Sequence, residues 1–99
     1  MLLLLVVIIL LKYKNIEIKE AKTFYERLIG LMFKKNIKYG LLFNNCKSIH
    51  TFFMREEIDI IFTDSNDKII KTCKNVKPRR ILIAPKGATR VYELPKGTI

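Results

Sequence analysis

The apolar pattern of this chain changes period at Gly40, and that change limits the available folds more than any other feature. Upstream, Thr23 is followed three residues later by Glu26, the pattern of a capping box in which the hydroxyl and the carboxylate each satisfy an orphan amide. Phe24, Leu28, Leu31 and Met32 then fall at i, i+4, i+7 and i+8, one helical stripe. The spacing predicts a single short helix over residues 23–33. Gly30 inside it costs about 1 kcal/mol relative to Ala but is small enough to let the helix approach a sheet closely. Lys34-Lys35-Asn36 puts positive charge near the predicted helix end, where the dipole favours it.

Beyond Gly40 the period is two. Leu41 to Phe43 reads as a short strand. Ser48 to Arg55 reads as a longer one, with Ile49, Thr51 and Phe53 on one face and His50, Phe52 and Met54 on the other. Ile58 to Thr63 is apolar almost throughout, as a central strand would be. Asp64-Ser65-Asn66-Asp67 is turn chemistry, so Lys68 to Cys73 is expected to return beside it as a hairpin. Ile81 to Ala84 and Thr89 to Leu94 supply two further strands, separated by Pro85-Lys86-Gly87, and Ile16 and Ile18 alternate with Glu17 and Lys19 in a short strand ahead of the helix. The expected fold class is therefore mainly β: a small antiparallel β-sandwich or partly open barrel with one short α-helix near residues 23–33.

The chain divides into an apolar N-terminal segment, residues 1–14, and one β-rich domain, residues 15–99. Leu2 to Leu11 is an unbroken run of Leu, Val and Ile. It is shorter than the roughly 20 residues needed to span a bilayer and lacks the basic start and small-residue cleavage site of a secretory signal. Anchor, signal and core element all stay open, and with them membrane association through residues 2–11 or a cytoplasmic location. A domain of this length hides only about 60–65% of its unfolded surface, so modest stability is expected. The net charge of +10 favours anionic partners, a membrane surface among them, without naming one.

Four residues are candidates for a site. Asp59 lies between Ile58 and Ile60 in the most apolar strand, where a carboxylate must be hydrogen-bonded, paired with a cation such as Arg27 or Arg55, or raised in pKa. His50 is the only histidine and a candidate base or ligand; Met54 lies on the same predicted face. If Glu56-Glu57 is a two-residue turn, His50 and Asp59 share a face but stand roughly 13 Å apart, too far for a direct dyad. Cys46 is a weaker catalytic candidate, since a thiol enzyme would need an orienting group that the sequence does not supply. Cys46 and Cys73 lack the spacing of a disulfide framework or a zinc site, and neither metal nor cofactor is expected. No dinucleotide, Walker, serine-hydrolase or zinc-protease motif occurs.

The segments T-F-Y-E-R-L-I-G-L-M-F, G-L-L-F, C-K-S-I-H-T-F-F-M, I-D-I-I-F and Y-E-L-P-K-G occur in one order across Ile16 to Ile99. In this the chain resembles domain-of-unknown-function family number 192 (DUF192). The resemblance implies a compact, mostly antiparallel β-domain with one short helix near its start, often behind an export signal or membrane anchor, and no settled activity. The family's pattern runs on past the E-L-P-x-G-T turn into a final strand, which implies either an open sheet edge here or a longer natural chain. The leading expectation is a non-enzymatic binding or accessory module, membrane- or envelope-associated, with a small concave site lined by His50, Met54 and Asp59. The alternatives are an enzyme using His50 and Asp59 in acid–base chemistry, and nucleic-acid binding by the basic surface. The last is disfavoured because Phe24 is assigned to the buried helix stripe.

Overall fold

The structure, a computed structural model, describes residues 15–99. The apolar segment 1–14, with its anchor, signal and core readings, lies outside the described residues. The elements run β1 (Glu17–Glu20), α1 (Phe24–Ile29), β2 (Tyr39–Asn44), β3 (Ser48–His50), β4 (Ile58–Thr63), β5 (Ile69–Val76), β6 (Ile81–Ile83) and β7 (Arg90–Pro95). Five strands form one sheet in the order β1-β2-β7-β4-β5, and β3 and β6 form a separate two-stranded ribbon. The domain is mainly β with one short helix, as the periodicity implies. β1 and β2 pair in parallel because the chain between them crosses over through α1, the connection parallel neighbours require.

The capping box forms as the sequence predicts: Thr23 Oγ1 accepts from the Glu26 amide at 3.0 Å, and the Glu26 carboxylate accepts from the Thr23 amide at 2.9 Å. The helix is nevertheless shorter than 23–33. Gly30 takes φ 52°, ψ −126°, a conformation reserved for glycine, and stops it after Ile29. The predicted stripe breaks with it. Leu31 is buried beyond the helix end, whereas Phe24 and Leu28 are exposed. Gly40 is required by close approach: a Cβ there would come within 2.7 Å of Ile18 and Leu94 side-chain carbons.

The hairpin of β4 and β5 forms around the acidic turn, where Asp64 Oδ1 accepts from the Asn66 and Lys68 amides. The expected strand Ser48 to Arg55 does not persist, and the hairpin at Glu56-Glu57 does not form. Ile49 and Thr51 are buried as the alternation requires, but the chain turns at Phe52-Phe53, with Phe53 at φ 63°. Thr51 is held by the segment before β6: its amide donates to Arg80 O at 2.8 Å, its hydroxyl donates to Lys77 O at 2.7 Å, and Oγ1 accepts from the Arg80 amide at 2.8 Å. β3 therefore pairs with β6, and β4 pairs with β5 and β7. Glu56 accepts instead from the Asn36 and Ile37 amides, at 2.7 and 3.2 Å.

The sheet buries side chains on both faces. On one, Leu41, Phe43, Ile60 and Val91 pack against Leu31, Cys46, Ile49 and Met54 from the overlying helix-and-ribbon layer. On the other, Leu42, Ile61, Tyr92 and Leu94 form a smaller cluster with Ile18, Ile69 and Ile99. Strand alternation sends Val91 and Glu93 to the first face and Tyr92 and Leu94 to the second.

Candidate functional site

Between the end of α1, β3 and the sheet lies a cavity of about 130 Å³, lined by Arg27, Gly30, Met32, Phe43, Cys46, Ile49, His50, Met54 and Glu93, with Leu28 and Ser48 among its rim residues. Three of the four candidates meet here. Met54 is buried in the wall, Cys46 lies beneath, and His50 is exposed, with Nδ1 accepting from the Phe52 amide at 3.2 Å. With Nδ1 as the acceptor, Nε2 is the ring nitrogen left to face a ligand or solvent.

Asp59 is not part of this cavity. It alternates with Ile58 and Ile60, so its side chain turns to the opposite face of the sheet, toward Leu94 and Ile61. Its two oxygens are occupied by backbone: Oδ1 accepts from the Asn75 amide and Oδ2 from the Ile99 amide, both at 2.9 Å. Asn75, at φ 52°, sits in the bulge where β5 slips register against β4. Asp59 thus pins a bulge and the C-terminal turn. It pairs with neither Arg27 nor Arg55, and the concave site of His50, Met54 and Asp59 loses its acid.

Glu93 takes that place, and the sequence reading missed it. It is 5% exposed, faces the cavity from β7, and accepts no hydrogen bond among the described residues. Burial alone pushes its pKa up to about 8, so near neutral pH it is a protonated acid with a donor to offer. A signal was present. Glu93 stands between Tyr92 and Leu94 in a strand, much as Asp59 stands between two isoleucines, and it shares a face with Val91. Gly30 fits against it, since a Cβ there would touch Glu93 Oε1 at 3.4 Å.

Arg27 closes one side. Its guanidinium donates to Asn44 O at 2.7 Å and Asn45 O at 3.5 Å, and lies 5.9 Å from the centroid of the Phe43 ring. The Cys46 thiol donates to Ser48 O at 3.2 Å. Burial raises its pKa, with Glu93 adding to the rise and the Ser48 bond and the Arg27 charge opposing it. A thiol held in its protonated form is a poor nucleophile, which argues against Cys46 catalysis. Among the described residues no three His, Cys, Asp or Glu side chains gather in a metal-binding arrangement.

Comparison with known proteins gives a consistent picture. The chain is 38% identical over 88 residues to a UPF0127 protein of Thermococcus sibiricus, covering 83% of this chain and 56% of that protein. It is 41% identical over 87 residues to a UPF0127 protein of Pyrococcus horikoshii, covering 82% and 74%. Its fold matches the crystal structure of a protein of unknown function from Novosphingobium aromaticivorans with a TM-score of 0.72 at 22% identity, over 83% of this chain and 64% of that one. This chain thus spans little more than half of the Thermococcus relative. The profile of DUF192, described as an uncharacterized ACR, matches residues 7–99, and the chain belongs to that family.

Proposed function

We propose that this domain is a small-ligand binding module, with the cavity under the end of α1 as its pocket and Glu93 as the group that recognises the ligand. One observation carries the reading: a carboxyl that is 5% exposed and has no partner among the described residues faces a cavity. Buried polar groups are nearly always hydrogen-bonded, so an acid left without a partner is a cost that a ligand can relieve. A volume near 130 Å³ is close to the roughly 150 Å³ cavity that accepts benzene, so the inserted part of the ligand is on the scale of one six-membered ring. Phe43, Ile49 and Met54 suit an apolar body, and the Glu93 hydroxyl suits an acceptor on it.

The test is thermal unfolding of wild type and Glu93→Leu with panels of small carboxylates, amides and primary amines at pH 6 and 9. Stabilisation of wild type by one class, lost in the variant, is the expected result. If no class stabilises wild type at either pH, the reading fails.

A second reading, acid–base catalysis, has its own support. A group titrating near 8 is matched to proton transfer at neutral pH, and His50 lines the same cavity. The pair to test is then His50 with Glu93, not His50 with Asp59.

A further inference from the structure

The layer that roofs the cavity is unusually apolar on its outer side. Phe24, Leu28, Phe33, Phe53, Ile81 and Ile83 are all more than half exposed. They are contributed by α1, the turn after it, the 52–53 turn and β6, and contacts tie these elements into one surface. Leu28 and His50 line the same cavity mouth, and the rings of Phe33 and Phe53 lie 5.6 Å apart. His50 stands opposite Ile81 in the ribbon and 5.6 Å from the Phe52 ring. Soluble domains rarely leave so many large apolar side chains together without a partner.

The charges around them are predominantly positive. Lys34, Lys35, Lys47, Arg55, Arg79 and Arg80 are exposed in the same segments, and across residues 22–35, 47–55 and 79–83 the only acid is Glu26. Its carboxylate is engaged at the start of α1 by the Lys22 and Thr23 amides.

We infer that this face docks on an anionic lipid surface, inserting its aromatic and aliphatic side chains at the headgroup boundary while the surrounding lysines and arginines meet lipid phosphates. Separate projecting side chains on a helix, two turns and a ribbon need no complementary shape, which a bilayer does not have. Cations spread over several segments suit a diffuse negative charge. Single-stranded nucleic acid would use the aromatic rings and the cations but has no use for Leu28, Ile81 and Ile83.

The experiment is co-sedimentation of the full chain with phosphatidylcholine vesicles, with and without one third phosphatidylglycerol. Wild type is compared with Phe24→Ser/Phe53→Ser, with Ile81→Ser/Ile83→Ser as a second variant from a different element. Ile70→Ser is the control, an exposed apolar residue on β5. The expected result is binding that requires the anionic lipid, weakens with salt, falls about tenfold or more in either patch variant and survives in the control. Circular dichroism establishes that each variant is folded. The proposal is overturned by any of four results: no binding to anionic vesicles, patch variants that bind like wild type, preference for oligothymidylate over vesicles, or a dimer in gel filtration that the same substitutions dissolve.

Discussion

At the scale of single residues, Glu93 and Asp59 show how two buried acids divide structure from site. Asp59 is fully buried and has both oxygens filled by backbone amides, so its removal opens a buried site and leaves two part-buried N–H groups without their acceptor. Asp59→Ala should therefore cost about 2–5 kcal/mol in denaturant unfolding, while His50→Ala, at an exposed position, should cost under about 1 kcal/mol. Glu93 works in the other direction. Its folded pKa of about 8 lies above the ordinary 4.5, so the native state holds a proton the unfolded chain has lost throughout that window. The contribution of this group to stability is most favourable below pH 4.5 and falls as pH rises to 8, by up to about 5 kcal/mol. Glu93→Gln should flatten this dependence and be the more stable protein at pH 9, as thermal melts across pH 5 to 9 would show. Glu26 and Glu56, whose pKa values are lowered by backbone hydrogen bonds, have the opposite sign and favour the folded state above their unfolded values. They do not differ between the two proteins and so drop out of the comparison.

At the scale of elements, the helix and the ribbon owe their ends to different causes. α1 begins where a side-chain cap satisfies its first amides and ends where Gly30 leaves the helical region. Thr23→Ala removes the hydroxyl half of the capping box and should cost about 1 kcal/mol, read from denaturant midpoints. Both ends of this element are written locally in the sequence. The sequence reading misplaced its C-terminal end as well as its outward face, because Gly30 stops the helix and six residues after the cap are too few for a stripe to extend to Leu31 and Met32. β3 ends because a distant segment captures Thr51, and no local pattern announces that. Thr51→Val keeps the shape but leaves the Arg80 amide and the Lys77 carbonyl without their hydroxyl partner, so a loss of about 1–3 kcal/mol is expected, with β3 and β6 loosened together.

At the scale of the whole molecule, the order β1-β2-β7-β4-β5 puts the last strand of the chain at the centre of the sheet. β7 buries Val91 and Leu94 on opposite faces and pairs on both edges, and β4 is buried along its full length. Native-state hydrogen exchange should accordingly be slowest in β4 and β7. The short α1 and the segment from Lys34 to Asn36 should exchange fastest, since they hold few buried side chains. Central placement of β7 also explains the site. Only a strand covered on both faces brings an acid such as Glu93 into the core, and only the roof formed by the end of α1 and by β3 leaves a cavity in front of it.

The sequence by itself determined what short-range physics decides: the capping box at Thr23, the acidic turn that closes the β4–β5 hairpin, the burial of Ile58 to Thr63, and the mainly β character that follows from a period of two. It also brought out His50, Met54 and Cys46, which the fold does gather around one cavity. Beyond that hairpin, only the tertiary structure decided which strands pair, because a period of two says which residues share a face and nothing about which distant strand lies alongside. That choice placed β3 against β6, slid β7 between β2 and β4, turned Asp59 away from the cavity and turned Glu93 toward it. The two acids have nearly the same apolar neighbours in sequence. What separates them is the face of the sheet each occupies and whether backbone amides wait for it there.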